Sequence, residues 1–302
     1  MKIKRLQRYS GFTLIELLVS MTITVVLLGV LVYLTAISMD TYRDSRNEVR
    51  ASRQAKEAIE AIAKDLESMV SRRDGNAYEW LYCGEEPSNL RGPANKEIAN
   101  TSQLIFFTGA TDRYNGQIGT ADDKGGDVSA VGYRLVYKDQ ISGNSDYAVF
   151  SLYRHLVNPD EAFDLLAIDD LKTAPSTPFT DAKDLVSSNF LVENIYEMTI
   201  TFLVEYTTSA TPPVTKIERV SLMQSGSGGY TEFRLKGNAL ETIPANANIA
   251  NGSIVGVEVS ISVLTDRGMT IAKKSGMPAA QWEKEIKKHS YHYTKTIMTP
   301  RP

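Results

Sequence analysis

Cysteine is almost missing: Cys83 stands alone in 302 residues. One cysteine cannot close an internal disulfide, and no paired-cysteine metal spacing exists. Cys83 therefore reads as a small, part-buried side chain. Histidine is as scarce, with His155, His289 and His292. Three histidines and one cysteine in these places form no Ser-His-Asp or Cys-His order for nucleophilic catalysis. The glycine run Gly226-Ser227-Gly228-Gly229 has no Lys-Ser/Thr after it, so it is a turn and not a phosphate loop. A net excess of positive charge is lacking outside the N-terminus. Lys2, Lys4, Arg5 and Arg8 sit among the first eleven residues with no acid, in a chain of net charge -3, so the remainder is more acidic still. That excludes a nucleic-acid-coating role for the bulk of the chain, because phosphate binding needs clustered Lys and Arg. The composition, 23% charged and 42% hydrophobic, is an ordinary globular balance and excludes global disorder and collagen.

Two further absences lie side by side. Residues 17–37 carry no charge, and residues 41–71 carry neither proline nor glycine. At about 1.5 Å rise per residue the uncharged run makes ~31 Å of helix, the thickness of a bilayer's hydrocarbon core. Ser20, Thr22, Thr24 and Thr35 within it can bond back to their own helix. Four basic residues precede the run, and none comes after it until Arg43. The positive-inside rule then puts the N-terminus in the cytoplasm and the chain beyond the span outside.

Three readings of this segment compete. A secretory signal peptide has the basic start, and residues 36–38 offer a small-residue cleavage site, but the apolar run is longer than an h-region and Glu16 sits at its head. An uncleaved signal anchor fits length and charge but gives Glu16 no purpose, and a carboxylate beside a membrane span is a functional candidate whose partner should be named. The third reading comes from Gly11-Phe12-Thr13-Leu14-Ile15-Glu16-Leu17-Leu18-Val19, which closely resembles the N-terminal signature of type IV prepilins and type II secretion pseudopilins. The resemblance implies that a membrane-embedded prepilin peptidase cuts after Gly11 on the cytoplasmic side and methylates the new N-terminus at Phe12. It also implies that Glu16 matches the glutamate of the fifth mature position.

The chemistry suits the residues. Glycine permits an extended backbone in a peptidase cleft. Cleavage makes a cationic amine at Phe12, and Glu16 lies about 6 Å along the same helix. In a filament the amine of one subunit can pair with Glu16 of its neighbour. An ion pair in low dielectric penalises any arrangement that leaves one charge alone, so the pair works as a register pin.

Beyond the span, apolar residues recur at Ala55, Ile59, Ile62, Leu66, Met69 and Val70, one face of an amphipathic helix. Arg53 with Glu57, Lys56 with Glu60, and Glu60 with Lys64 are i,i+4 pairs on the wet face. Arg72-Arg73-Asp74-Gly75 reads as the stop, so the pattern predicts one helix from about Thr13 to Arg72, with its apolar stripe packed on a sheet. The expected organisation is a basic leader at 1–11, a transmembrane half-helix at 12–38, an amphipathic half at 39–73 and an extracytoplasmic β-rich domain at 74–302.

After Gly75 the pattern reads first as a polar loop region, then as strands at 103–107, 131–138 and 147–154, with a hairpin turn at 138–146. Residues 163–171 and 181–186 read as weak helical or irregular segments. Strands follow at 195–206, 214–223, 230–235 and 253–264. A helix opened by Pro278 covers 276–289, and the tail from Tyr291 pairs as an edge strand or frays. The fold class is α+β: a long N-terminal helix packed on a mainly antiparallel β domain, as in pilins. The order Val131-Gly132-Tyr133-Arg134-Leu135, Ser151-Leu152-Tyr153-Arg154, Phe190 to Tyr196 and Gly256 to Ser262 is similar to J-type minor pseudopilins. The insertion at 159–180 and the extended C-terminus depart from that family's usual size.

Other chemistry has thin support. His289 and His292 would share a face on a helix and could hold a metal, but no third ligand is near, and a solvated end-of-helix pair is the simpler reading. Asp112, Asn115, Asp122, Asp123 and Asp127 share a glycine-rich loop, with Asp122, Asp123 and Asp127 the candidates for calcium. The spacing matches no EF-hand, and turns want the same residues for local reasons. Tyr133, Tyr137, Phe150 and Tyr153 read as core and not as a stacking platform for single-stranded DNA.

The leading expectation is a structural subunit, a minor pseudopilin or minor pilin. Its partners would be prepilin peptidase, the membrane and other pilin subunits, with no cofactor, no catalytic residue and no nucleic acid. A minor role is expected from domain size, since a bulky domain is hard to stack in a tight filament. The rivals are a ligand- or DNA-binding pilin and a membrane-anchored periplasmic enzyme, for which Glu16 would be dispensable.

Overall fold

The computed structural model describes residues 11, 13–72, 77–85, 92–93, 103–109, 121, 123–139, 147–208, 212–222, 229–274 and 276–300. The chain divides after Val49 into two units. One helix, α1 (Leu14–Glu67), contributes to both. In the first unit its residues are exposed almost without exception, apolar ones included. Residues 41–71 lack helix breakers, so nothing interrupts the hydrogen-bond ladder where the membrane-type composition ends.

The second unit begins with the rest of α1 and holds, among the described residues, twelve strands and four further helices. The strands of its first half are β1 (Met69–Val70), β2 (Glu79–Gly84), β3 (Gln103–Thr108), β4 (Ser129–Lys138) and β5 (Val149–Val157). Short helices α2 (Pro159–Ala162) and α3 (Asp181–Asp184) lead to β6 (Phe190–Glu193), β7 (Ile195–Thr207) and β8 (Thr215–Ser221). Then come β9 (Glu232–Lys236), β10 (Ala239–Ile243), β11 (Ser253–Leu264), α4 (Asp266–Ala272), α5 (Ala279–Lys288) and β12 (Ser290–Met298). The first sheet runs β10-β9-β2-β3-β4-β5-β6, with β1 also on β3; the second runs β12-β11-β7-β8. All these ladders are antiparallel. The α+β class and the single long helix are as expected from the sequence.

Asn194 turns the chain from one sheet to the other. Its φ of 66° is the left-handed conformation that asparagine tolerates better than most residues. Its N–H donates to the Phe150 carbonyl at 2.6 Å, and its own carbonyl accepts from the Leu264 N–H at 2.9 Å. The stacked rings of Phe202 and Phe233, 4.1 Å apart, join β7 to β9 across the core.

The outer part of α1 lies on the first sheet through Ala51, Ala55, Ala58, Ile59, Ile62, Ala63 and Leu66, all buried. In the last turn of the helix is Asp65, with no exposure at all. Arg154 clamps this carboxylate with Nε on Oδ2 at 2.7 Å and Nη2 on Oδ1 at 2.8 Å, and the Tyr133 hydroxyl donates to Oδ2 at 2.5 Å. Tyr133 and Arg154 face each other across β4 and β5, so one helix residue meets a pair prepared by strand register. Burial first, and the Asp65 charge next, hold the Tyr133 phenol well above its usual range, so it stays a donor. Arg50 adds a second tie, reaching Glu193 and Asp266 at 2.7 Å each.

The helix stops at Glu67, short of Arg72, because the sheet takes the chain over. Met69 and Val70 pair with Thr108 and Phe107. The hydroxyl of Ser68 donates to the Lys64 carbonyl and that of Thr108 to the Asp65 carbonyl, so these last-turn carbonyls find partners; Gly75, expected in the stop signal, lies outside the described residues.

The opposite face of the sheet is covered by the insertion between β5 and β6. Arg134 reaches Asp181 at 2.5 Å and Asp184 at 3.5 Å, and His155 Nδ1 lies 2.8 Å from Asp184. Phe179 is buried against Gly132, where a Cβ would fall 2.5 Å from its ring. Gly132→Ala is accordingly expected to cost about 1–3 kcal/mol through overpacking. Urea denaturation of the purified protein measures it, and a variant as stable as the parent would show that Phe179 yields.

Three sequence expectations change here. Residues 79–84, expected within a polar loop region, form the fully buried β2. Residues 239–243 and 266–272, for which the sequence pattern predicts no element, are β10 and α4. Arg72 is not the helix end. Conversely β11 has the expected bounds, the tail forms edge strand β12, and α5 follows Pro278.

Candidate functional site: the N-terminal helix

Gly11 is exposed, and helix α1 opens three residues later at Leu14. Phe12 lies outside the described residues. Thr13 caps the helix together with Glu16. The Thr13 N–H and hydroxyl donate to Glu16 Oε2 at 2.9 and 2.8 Å, and the Glu16 N–H points back to Thr13 Oγ1 at 3.4 Å. This is a capping box, the reciprocal arrangement that Thr-x-x-Glu permits at the first turn. The Thr-x-x-Glu spacing is visible in the sequence, yet the reading of Glu16 from the motif gives it an intermolecular partner alone. A carboxylate at this end also meets the positive pole of the helix dipole.

The following turns keep their polar side chains internal. The hydroxyls of Ser20, Thr22, Thr24, Thr35 and Thr41 donate to carbonyls three or four residues back at 2.8–2.9 Å. This is the arrangement a hydrocarbon surrounding requires, because unsatisfied hydroxyls are costly there. Leu17, Leu18, Val25, Val26, Leu31 and Leu34 are all more than half exposed. The helix is long and apolar enough to cross a membrane.

The other candidate residues fall elsewhere. Cys83 is fully buried in β2, where burial raises its thiol well above the usual range. Tyr133, Phe150 and Tyr153 are core, as expected. His289 and His292 do not share a helix: His289 ends α5, while His292 is on β12 with Nδ1 3.1 Å from the Ser262 hydroxyl. The strand begins at Ser290 because β12 pairs with β11, which separates the two rings onto different elements. Of the calcium candidates, Asp122 lies outside the described residues. Asp123 Oδ1 accepts from the Gly125 N–H at 2.8 Å in a local turn. Among the described residues no group of three His, Cys, Asp or Glu converges as metal ligands would. Gly226 to Gly228 also lie outside the described residues.

Residues 6–32 match the family model of the prokaryotic N-terminal methylation motif. The match spans the end of the leader, Gly11, Phe12, Glu16 and most of the apolar run, and supports the type IV prepilin and pseudopilin superfamily. A motif of this kind implies processing by a peptidase, assembly with other pilin subunits and a structural role. No curated protein and no solved structure gives a significant match to the chain.

Proposed function

We propose that this chain is a minor pseudopilin or minor pilin of a type II secretion or type IV pilus-like system, with J-type minor pseudopilins the subfamily its strand motifs resemble. Prepilin peptidase cuts between Gly11 and Phe12 and methylates Phe12. The span at 12–38 holds the subunit in the inner membrane, N-terminus in the cytoplasm, until assembly. The carboxylate of Glu16 then receives the Phe12 amine of a neighbour. The observation that carries this reading is the motif itself, placed at the head of an exposed apolar helix whose first turn is closed by Glu16. The bulk of the second unit, Arg50–Pro302, supports a minor rather than a repeating subunit on steric grounds.

Mass spectrometry of the membrane-extracted protein tests the reading. The expected mature chain begins at N-methyl-Phe12. A chain beginning at Met39 would replace the proposal with a secreted protein.

A ligand-binding pilin is favoured by one feature, a cleft of about 760 Å³ at the end of the second sheet. Glu205, Tyr206, Lys216, Asn248 and Asn251 are among the residues lining it. One ammonium beside one carboxylate is not the cation cluster that phosphate recognition needs, which speaks against DNA as its ligand.

A further inference from the structure

The back of the first sheet carries a cluster of charged groups with no part in assembly through α1. Glu79 of β2 lies at its centre and is 1% exposed. It holds the insertion between β5 and β6 twice. Its N–H donates to the Ile168 carbonyl at 2.9 Å, and its Oε2 accepts a short hydrogen bond from the Leu171 N–H. Its Oε1 meets Arg234 Nη1 at 3.2 Å. That guanidinium is shared, since it also contacts Asp170 at 3.5 Å and Glu232 at 3.1 Å. Lys172 directs its ammonium to the Tyr82 hydroxyl at 2.6 Å and lies 3.9 Å from Glu232.

One guanidinium thus serves three carboxylates, and the three differ in what else supports them. Asp170 accepts from the N–H groups of Lys172 and Thr173 and from the Thr173 hydroxyl, which hold its carboxyl below the usual range despite partial burial. Glu232 is part-exposed on β9 and takes two bonds from Arg234. Lys236 stands opposite Glu79 in the ladder, and Glu241 of β10, exposed, stands opposite Arg234. Glu79, Asp170 and Glu232 thus share the cluster with Lys172, Arg234 and Lys236, while Glu241 stays at its exposed rim. Tyr82 stays neutral, its phenol raised chiefly by burial. Of the three carboxylates Glu79 is the deepest, and that is where a charge is least tolerated.

We propose that Glu79 is a proton-dependent latch: protonated, it holds the segment around Ile168 to Lys172 on the sheet, and deprotonation loosens that segment. Burial is the leading cause that lifts the Glu79 carboxyl from 4.5 to about 7, against the opposing pull of the Leu171 N–H and Arg234. A carboxyl whose folded value is raised contributes stability fully present below 4.5 and lost as pH rises through about 7. Where opening of the segment frees Glu79, the opening equilibrium rises about tenfold per pH unit in that window and levels off above it.

Hydrogen–deuterium exchange of the full chain in detergent, corrected for intrinsic rates and read on peptides covering 165–180 between pH ~5 and ~8, tests this. Protection is expected to fall with rising pH in the parent and to be flat in Glu79→Gln, which mimics the protonated form. Glu241→Gln, exposed and outside the latch, should keep the parent's slope. Parent protection that does not change with pH, or a Glu79→Gln protein with the parent's slope, would overturn the latch. The parent measurement alone decides the matter should Glu79→Gln fail to fold.

Discussion

Glu16→Ala is expected to leave the cut after Gly11 intact and to abolish incorporation into filaments. Cleavage depends on the junction and its leader, which the substitution does not touch. Assembly depends on a carboxylate near the new amine, because an ammonium carried into low dielectric without a partner is strongly disfavoured. The structure adds a complication, since Glu16 also closes the capping box with Thr13. Alanine removes both roles at once. Glu16→Gln separates them, because its amide oxygen can still accept from the Thr13 N–H while carrying no charge. Processing is read by mass spectrometry of the membrane fraction, and assembly by cysteine cross-linking between neighbouring helices. Failure of both variants to assemble, with both cleaved, supports the ion pair. Normal assembly of Glu16→Gln would assign the residue to the cap alone, and normal assembly of Glu16→Ala would leave the membrane-anchored rivals standing.

Asp65→Ala should be the most destabilising single change in the second unit. Asp65 is fully buried and engages Arg154 through both oxygens and Tyr133 through one. Removing it strands a guanidinium in the core at a cost of about 3–5 kcal/mol. That is a large share of the roughly 5–15 kcal/mol that holds a typical domain together. Replacing the whole cluster, Asp65→Leu with Arg154→Met and Tyr133→Phe, should recover most of the loss, because no buried polar group is then left unpaired. Denaturant unfolding of the three proteins compares them. A single variant as stable as the parent would show that Arg154 finds water or another acceptor.

The Thr13 and Asp65 positions show why some contacts are legible in the sequence and others are not. The capping box is local: Thr13 and Glu16 are three residues apart, and their bond follows from helix geometry once the helix starts there. Asp65 is three positions from Ile62 and one from Leu66, yet it sits among them as a buried charge. Nothing within a few residues identifies Arg154 and Tyr133 as its partners; only the register of β4 against β5 brings those two side by side beneath the helix. Strand β2 escapes sequence reasoning for a related reason. Glu79-Trp80-Leu81-Tyr82-Cys83-Gly84 is buried on both faces, so it lacks the polar alternation of a half-exposed strand, and it adjoins a stretch rich in turn formers. Strand β11, by contrast, keeps strong β formers throughout, and its expected and observed ends coincide.

By itself the sequence determined the N-terminal motif, the uncharged run and the unbroken helical stretch, because cleavage, membrane crossing and helix propagation depend on residues within a few turns of one another. It also determined that a mainly antiparallel domain comes after the helix. The tertiary structure alone decided that the helix ends at Glu67, where Met69 and Val70 find strand partners on β3. It decided that the insertion after β5 closes the back of the first sheet, and that Glu79 lies buried among charges from three separate segments. Those outcomes rest on contacts between residues far apart in the chain, where burial and strand register, not local preference, set which groups meet.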